Sequence, residues 1–352
     1  MCIIMATLEE IKDKTSEIIR EIKKAIIGYD REIEIIIATL YANGHALLEG
    51  VPGIAKTTLA RALVKVFGLN EKERILIDNI PYKGFSRIQF TPDLMPSDIT
   101  GSLVFNPLTK DFEPRLGPIF SYIVLADEIN RATPRTQSAM LQAMQEREVT
   151  IGDKTFPLEN RSLGKFFYVI ATENPIEMEG TYPLPEAQLD RFMVRIIMEY
   201  PSSLEDEKEI YKLHAYKLGE PVENLDSVVT PRWVVETQNF IAKNIRVSEA
   251  MLDYIARIIR ATRPDVFKGV RRFFELGASP RAGIMLIKIS KALAAMRGSS
   301  VVEARDVEKA IFHVLNHRLI PNIDLVIEYG GDFGAKMKVI NEGLKYVIDA
   351  VT

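Results

Sequence analysis

Leu47-Leu48-Glu49-Gly50-Val51-Pro52-Gly53-Ile54-Ala55-Lys56-Thr57-Thr58-Leu59 is the stretch that decides the fold. A short apolar run, a Gly/Pro loop and a Lys-Thr-Thr opening a helical pattern spell a strand, a phosphate cradle and a helix N-terminus. Such a loop turns backbone N–H groups inward, where they and the positive end of the following helix hold a polyphosphate. Lys56 then reaches the β/γ-phosphates and Thr57 ligates Mg²⁺. The spacing meets the P-loop pattern, except that Ala55 stands where a second Gly is usual, a place Ala can hold only with a negative φ. The competing reading is a Gly/Pro turn that precedes Lys-Thr by chance.

Composition sets the frame around that loop. A length of 352 residues suggests two domains at roughly 150 residues each. Hydrophobic content of 47% and charged content of 26% are those of an ordinary globular chain and exclude disordered and collagen-like classes. Cys2 is the only cysteine, so no intrachain disulfide forms, and a reducing, cytoplasmic location is expected. Met1 to Met5 is too short for a signal-peptide core, and no apolar run approaches ~20 residues, so membrane insertion is not expected. A net charge of −3 argues against a surface that is wholly a nucleic-acid footprint.

Ahead of the loop, Thr7 to Ile27 reads as a helix, with Thr7 and Glu10 as a capping box, and Asp30 to Tyr41 as a second. His45 to Glu49 is the first strand, with His45 read as structural, and Thr57 to Phe67 the helix after the loop. Arg87 to Phe90 is a short strand, followed by a Pro- and Gly-rich tract that holds a hairpin at Leu103 to Glu113. Phe120 to Ala126 then runs apolar and ends in Asp127-Glu128. Open α/β sheets carry their ligands at the carboxyl ends of such buried parallel strands. There Asp127 would hold Mg²⁺ through its water shell and Glu128 would polarise the water attacking the γ-phosphate. The plainer alternative is a carboxylate pair that ends a strand and caps a helix.

A hairpin pattern at Glu148 to Leu158 precedes another buried strand, Phe166 to Ala171, which runs into Thr172-Glu173-Asn174-Pro175. The Asn174 amide is placed to bond both the attacking water and the γ-phosphate, or simply to terminate the strand. Met193 to Met198 is the last strand of the pattern. Beyond Tyr200 to Ser203 the periodicity is helical. The expected fold is thus α/β, a P-loop core of parallel sheet flanked by helices over 1–200, followed by a helical domain over 201–352.

Taken in order, these pieces resemble the MoxR family of AAA+ ATPases over nearly the whole length. Gly50 to Thr57 is similar to its phosphate loop, Ala55 included, and Arg87-Ile88-Gln89-Phe90-Thr91-Pro92-Asp93-Leu94-Met95-Pro96-Ser97-Asp98-Ile99-Thr100-Gly101 to its most distinctive signature. Asp127 to Ala132, Ala171 to Pro175, Glu186 to Phe192 and Gly277 to Ala282 resemble the remaining motifs. The resemblance implies a helical lid and two inserted hairpins, the helix-2 insert at Leu103 to Glu113 and one before the first sensor at Glu148 to Leu158. It implies ATP and Mg²⁺ as cofactors, with Gly50, Pro52, Gly53, Ile54, Ala55, Lys56, Thr57 and Thr58 around the phosphates and Ile27 and Gly28 by the adenine. It makes Thr57 and Asp127 the metal side, Glu128 the Walker B base and Asn174 the first sensor. Arg191 becomes the arginine finger serving a neighbouring subunit, and Arg281 a second sensor acting in its own or a neighbouring subunit. For Arg191 the competing reading is an ion pair with Asp190 or another carboxylate.

By the same resemblance the chain assembles into a ring, a hexamer, and remodels a protein client, often a metalloenzyme, with a partner bearing a von Willebrand factor A domain. Two other functions fit the fold. A nucleic-acid motor would grip DNA with its hairpins, but Lys110-Asp111 and Asp153-Lys154 each balance to zero where a backbone grip needs net positive charge. A chelatase-type motor would drive metal insertion elsewhere, since the four His are scattered and form no metal-binding pattern here.

Overall fold

The computed structural model describes residues 6–51, 53–71, 73–175, 180–201, 203–215 and 219–351. Cys2, Pro52, Ser202 and residues 216–218 lie outside the described residues. The chain opens with α1 (Leu8–Ile22), α2 (Asp30–Tyr41), β1 (Ala46–Gly50) and α3 (Lys56–Val66). Next come β2 (Arg74–Ile77), β3 (Ile80–Gln89), α4 (Pro96–Thr100) and a hairpin of β4 (Gly101–Asn106) and β5 (Asp111–Leu116). After β6 (Ser121–Asp127) and α5 (Pro134–Glu146) a second hairpin pairs β7 (Glu148–Ile151) with β8 (Lys154–Pro157). β9 (Tyr168–Glu173), α6 (Glu186–Leu189) and β10 (Val194–Met198) follow. The remainder is mostly helical: α7 (Leu204–Ala215), α8 (Pro231–Asn244), α9 (Glu249–Ala261), α10 (Pro280–Met296), α11 (Ala304–Leu315), α12 (Ile323–Glu328) and α13 (Phe333–Val351). Within it, β11 (Phe274–Leu276) pairs with β12 (Ile320–Pro321).

Six strands make one sheet in the order β10-β1-β9-β6-β3-β2. All pairings are parallel except β2 against β3. All seven residues of β6 are buried, which is why its sequence is an unbroken apolar run rather than an alternating one. α3 buries Leu59, Leu63 and Val66, each contributing about 1.5–3 kcal/mol through apolar area removed from water. β1 lies between β9 and β10, so the loop leaving its carboxyl end opens beside the ends of β9 and β6. Strand order therefore gathers Gly50, Asp127 and Glu173 at one edge although they are far apart in sequence.

Several expectations shift. α1 stops at Ile22, five residues short of Ile27, and Thr7 caps it by accepting from the Glu10 N–H at 3.2 Å. The short strand at Arg87 to Phe90 is the end of a ten-residue strand, and β2 beside it, only four residues long, extends the sheet by one antiparallel strand. Polar Ser86 within β3 is satisfied by Ser121 across the sheet at 2.8 Å. Residues 320–351 give β12, α12 and the 19-residue α13. His45 bonds Met144 O through Nε2 and accepts from the Val169 N–H through Nδ1, both at 3.1 Å, as a buried structural group does. Among the described residues no helix is long and apolar enough to cross a membrane.

Candidate nucleotide site

A cavity of about 480 Å³ opens at the carboxyl ends of β1, β3, β6 and β9. Gly53, Ile54, Ala55, Lys56, Thr57 and Thr58 form one wall, and Arg87, Asp127, Glu128 and Asn174 face it. Ala25, Ile26, Ile27 and Tyr29 form an apolar end with Tyr200, Pro201, Ile210, Leu213 and His214. That is the size and division of polar and apolar lining that a nucleotide needs.

The loop holds its shape by backbone strain. Ala55 has φ 59 and ψ 16, in the left-handed region, which overturns the expectation of a negative φ. An L-residue other than Gly loses about 1–2 kcal/mol there. The cost is tolerated because Ala55 O accepts the first helical bond of α3, from Leu59 N at 2.8 Å, so the turn fixes where the helix begins. Gly50 cannot be replaced in the same way, since a Cβ would stand 2.4 Å from Met198 O. At Gly53, with φ +84, a Cβ would meet nothing within 4 Å, leaving the space over the loop open. Lys56 Nζ donates to Gly50 O at 2.6 Å and Glu173 O at 3.3 Å, which aims it across the mouth of the loop.

The acids are held by residues that the sequence did not single out. Asp127 is buried, and its Oδ1 accepts from Thr172 Oγ1 at 2.6 Å. The same hydroxyl accepts the Glu128 N–H at 2.8 Å, so one threonine at the end of β9 fixes both acids. Asp127 Oδ2 takes Arg87 through Nε at 2.9 Å and Nη2 at 2.5 Å. Glu128 is itself left-handed, with φ 56 and ψ 52, and its Oε2 accepts from Gln89 Nε2 at 2.7 Å. Arg131 Nε stands 3.0 Å from the same oxygen, without hydrogen-bond alignment. Only the register of β3 against β6, which sets Gln89 beside Asp127, brings these groups together.

Next to the buried amide of Asn174, the carboxyl of Glu173 is buried although the residue as a whole is partly exposed, and its Oε1 has no hydrogen-bond partner. Burial, and then the neighbouring Glu49 carboxylate, push it up to about 8, against the pull of Arg195. The hydroxyl of Thr57 and the Asp127 carboxylate line one cavity, and the cation paired with Asp127 is the half-exposed Arg87. These residues fit Mg²⁺, which takes one or two protein oxygens and completes its shell with phosphates and water. Among the described residues no cluster of three or more His, Cys, Asp or Glu could hold a metal ion.

Arg191, Arg281, Gly28 and Gly50 are not part of the cavity lining. Gly28 forms the turn after Ile27, with φ +83, and Gly50 lies beneath the loop. The expected alternative for Arg191, an ion pair with Asp190, is not what the structure contains. Asp190 is taken by Arg318 Nε at 2.6 Å and Arg281 Nε at 3.4 Å. Arg191 makes no ion pair among the described residues.

A phosphate loop on a parallel sheet, paired acids at the end of β6 two strands away and a following helical region define an AAA+ ATPase. Residues 45–194 match the ATPase family associated with various cellular activities (AAA), and 268–327 match the AAA lid domain. The chain is 40% identical to Chaperone MoxR1 of Mycobacterium tuberculosis over 88% of its own length and 76% of that protein's. It is 40% identical to the uncharacterized protein YeaC of Bacillus subtilis over 90% of both chains, and 28% identical to Protein MoxR of Methylorubrum extorquens over 89% and 90%. The crystal structure of a candidate ATPase from Cytophaga hutchinsonii superposes with TM-score 0.80 at 36% identity, covering 96% of each chain. The chain belongs to the MoxR family of AAA+ ATPases.

Proposed function

We propose that the ATPase depends on Mg²⁺, works as a ring in which each hydrolysis site is completed by a neighbouring copy, and uses the cycle to remodel a protein client. In its own subunit Lys56 neutralises the β/γ-phosphates, and Thr57 and Asp127 hold the metal side. Glu128 polarises the attacking water, while Asn174 orients water and γ-phosphate. Bound Mg²⁺ would neutralise charge on the bridging phosphate oxygens. A further cation from a neighbour would then stabilise the charge that develops on the transferring phosphoryl group. A supplied arginine is worth roughly 10³ to 10⁵ in rate. Arg191 fits that role for a neighbour, and Arg281, paired outside the cavity, fits action on a neighbour better than on its own site.

The observation that carries this reading is the separation of Arg191 from a cavity that already contains Lys56, Asp127, Glu128 and Asn174. Sedimentation of the Glu128→Gln variant tests it: ATP should shift the chain to a ring, a hexamer by mass, and a monomer with ATP bound would contradict it. A protein client, rather than nucleic acid, is supported by the β4–β5 hairpin. Leu108 at its tip is 93% exposed, with Phe105 and Phe112 also exposed, while Lys110 and Asp111 cancel in charge. A chaperone role in the cytoplasm beside a partner with a von Willebrand factor A domain, acting on metalloenzyme complexes, completes the proposal. It accords with the relative named Chaperone MoxR1. A pull-down with the Glu128→Gln trap identifies the client, and retention of nucleic acid alone would refute the protein-remodelling reading.

A further inference from the structure

Arg87 carries a chemistry that the roles above leave out. It stands near the end of β3, lines the same cavity as Lys56 and Thr57, and its side chain is half exposed. Two of its nitrogens lie on Asp127 Oδ2, and Nη2 also donates to Gln89 Oε1 at 2.9 Å. The other carboxylate oxygen is tied to a buried threonine hydroxyl, so Oδ2 is the one that a metal ion could take. An arginine that were merely structural here would be enclosed, as Arg195 is where it pairs with Glu49 beneath the loop. Arg87 instead pairs with a buried acid while facing open space.

We propose that Arg87 is a cation displaced by the metal: it neutralises Asp127 while the site lacks nucleotide, and on loading of Mg²⁺ with nucleotide it turns to the γ-phosphate. Two consequences follow from charge alone. In the nucleotide-free protein Arg87 competes with Mg²⁺ for Oδ2, and holds the buried carboxylate against the cost of an unpaired charge. In the loaded protein its guanidinium has a phosphate partner only if the third phosphate is present, because ADP ends short of it. Arg87 thereby favours ATP over ADP from within the same subunit, a task distinct from that of Arg191. The two guanidinium nitrogens now on one carboxylate oxygen suit Arg87 to exchange that oxygen for those of a phosphate.

This inference rests on the nucleotide-site reading above, and the test separates the two. ATP and ADP affinities are measured by calorimetry in the Glu128→Gln protein, with and without Arg87→Gln, across a Mg²⁺ titration. The parent must bind Mg²⁺-ATP, and failure there would overturn the site itself. With Arg87→Gln, the preference for ATP over ADP should fall by about tenfold, a hydrogen-bonded charge pair being lost from ATP alone. The Mg²⁺ concentration needed for half-maximal ADP binding should fall as well, because the competitor for Asp127 is gone. Parallel weakening of both nucleotides, or an unchanged preference, would overturn the proposal and leave Arg87 a structural partner of Asp127. Should Arg87→Gln fail to fold, Arg87→Lys is read for the same ratio, with a smaller fall expected because the charge remains without the fork. An unchanged ratio in that variant overturns the proposal equally.

Discussion

The phosphate side of the molecule and the arginine side differ in how finished they are. On the first, Lys56, Asp127, Glu128 and Asn174 share one cavity and each has partners that fix its aim. On the second, Asp190 gathers Arg318 and Arg281 into an ion-paired cluster, while Arg191 beside it is left without an ion pair among the described residues. The cavity is therefore lined from within one chain, whereas Arg191, the group proposed to fire it, stands outside that lining. The difference teaches that binding and turnover should fail separately.

The largest effect expected is at Arg191. Arg191→Ala should lower kcat by about 10³ or more while ATP affinity stays within about threefold, since a group supplied by a neighbour stabilises only the transition state. Equal losses in affinity and rate would erase the distinction between the two sides. Glu128→Gln should lower turnover by about 10² to 10⁴ with ATP still bound, as an amide cannot take the proton of the attacking water. Wild-type turnover from that variant would remove Glu128 from the chemistry.

A stability readout sharpens the comparison from the phosphate side. Glu173 is pushed up to about 8 from an ordinary 4.5, so between those values the folded chain binds a proton that the unfolded chain has released. Stability then falls as pH rises through that window, by up to a few kcal/mol, and levels off above about 8. Glu173→Gln should flatten this slope and be the more stable protein at pH 8.5 in urea denaturation. An unaltered slope would place the pH dependence on other groups. Smallest is Ala55→Gly, which relieves the left-handed turn but loosens the unfolded chain. A net gain of about 0.5 kcal/mol is expected, and a loss would mean that Ala55 is not strained.

How far the site could be read from sequence follows one physical distinction. Asp127-Glu128 and Asn174 were legible because each ends an apolar run, and a buried parallel strand gives its function away where the run stops. Thr172, Arg87 and Gln89 were not, because their roles depend on the register of β3 and β9 against β6, a contact between distant segments. Ala55 was legible as an irregular residue and wrong in conformation: the chain tolerates the left-handed turn where a steric rule forbids it, and only the backbone reveals that. β2 was missed because it is only four residues long, and the arrangement of residues 320–351 because only a two-residue strand and a six-residue helix precede α13. The two hairpins were legible because a turn of Gly-Asp, or of Leu108 to Asp111, sits between alternating runs.

The most direct test of a divided site is to mix two dead proteins. Lys56→Ala cannot hold nucleotide but keeps Arg191, and Arg191→Ala holds nucleotide but lacks the finger. If they co-assemble at random, about a quarter of the interfaces join an intact Lys56 to a neighbour's intact Arg191. The account predicts that the mixture recovers ATPase activity approaching a quarter of wild type, although each variant alone is nearly inactive. A mixture that forms mixed rings and stays as inactive as its components would contradict it.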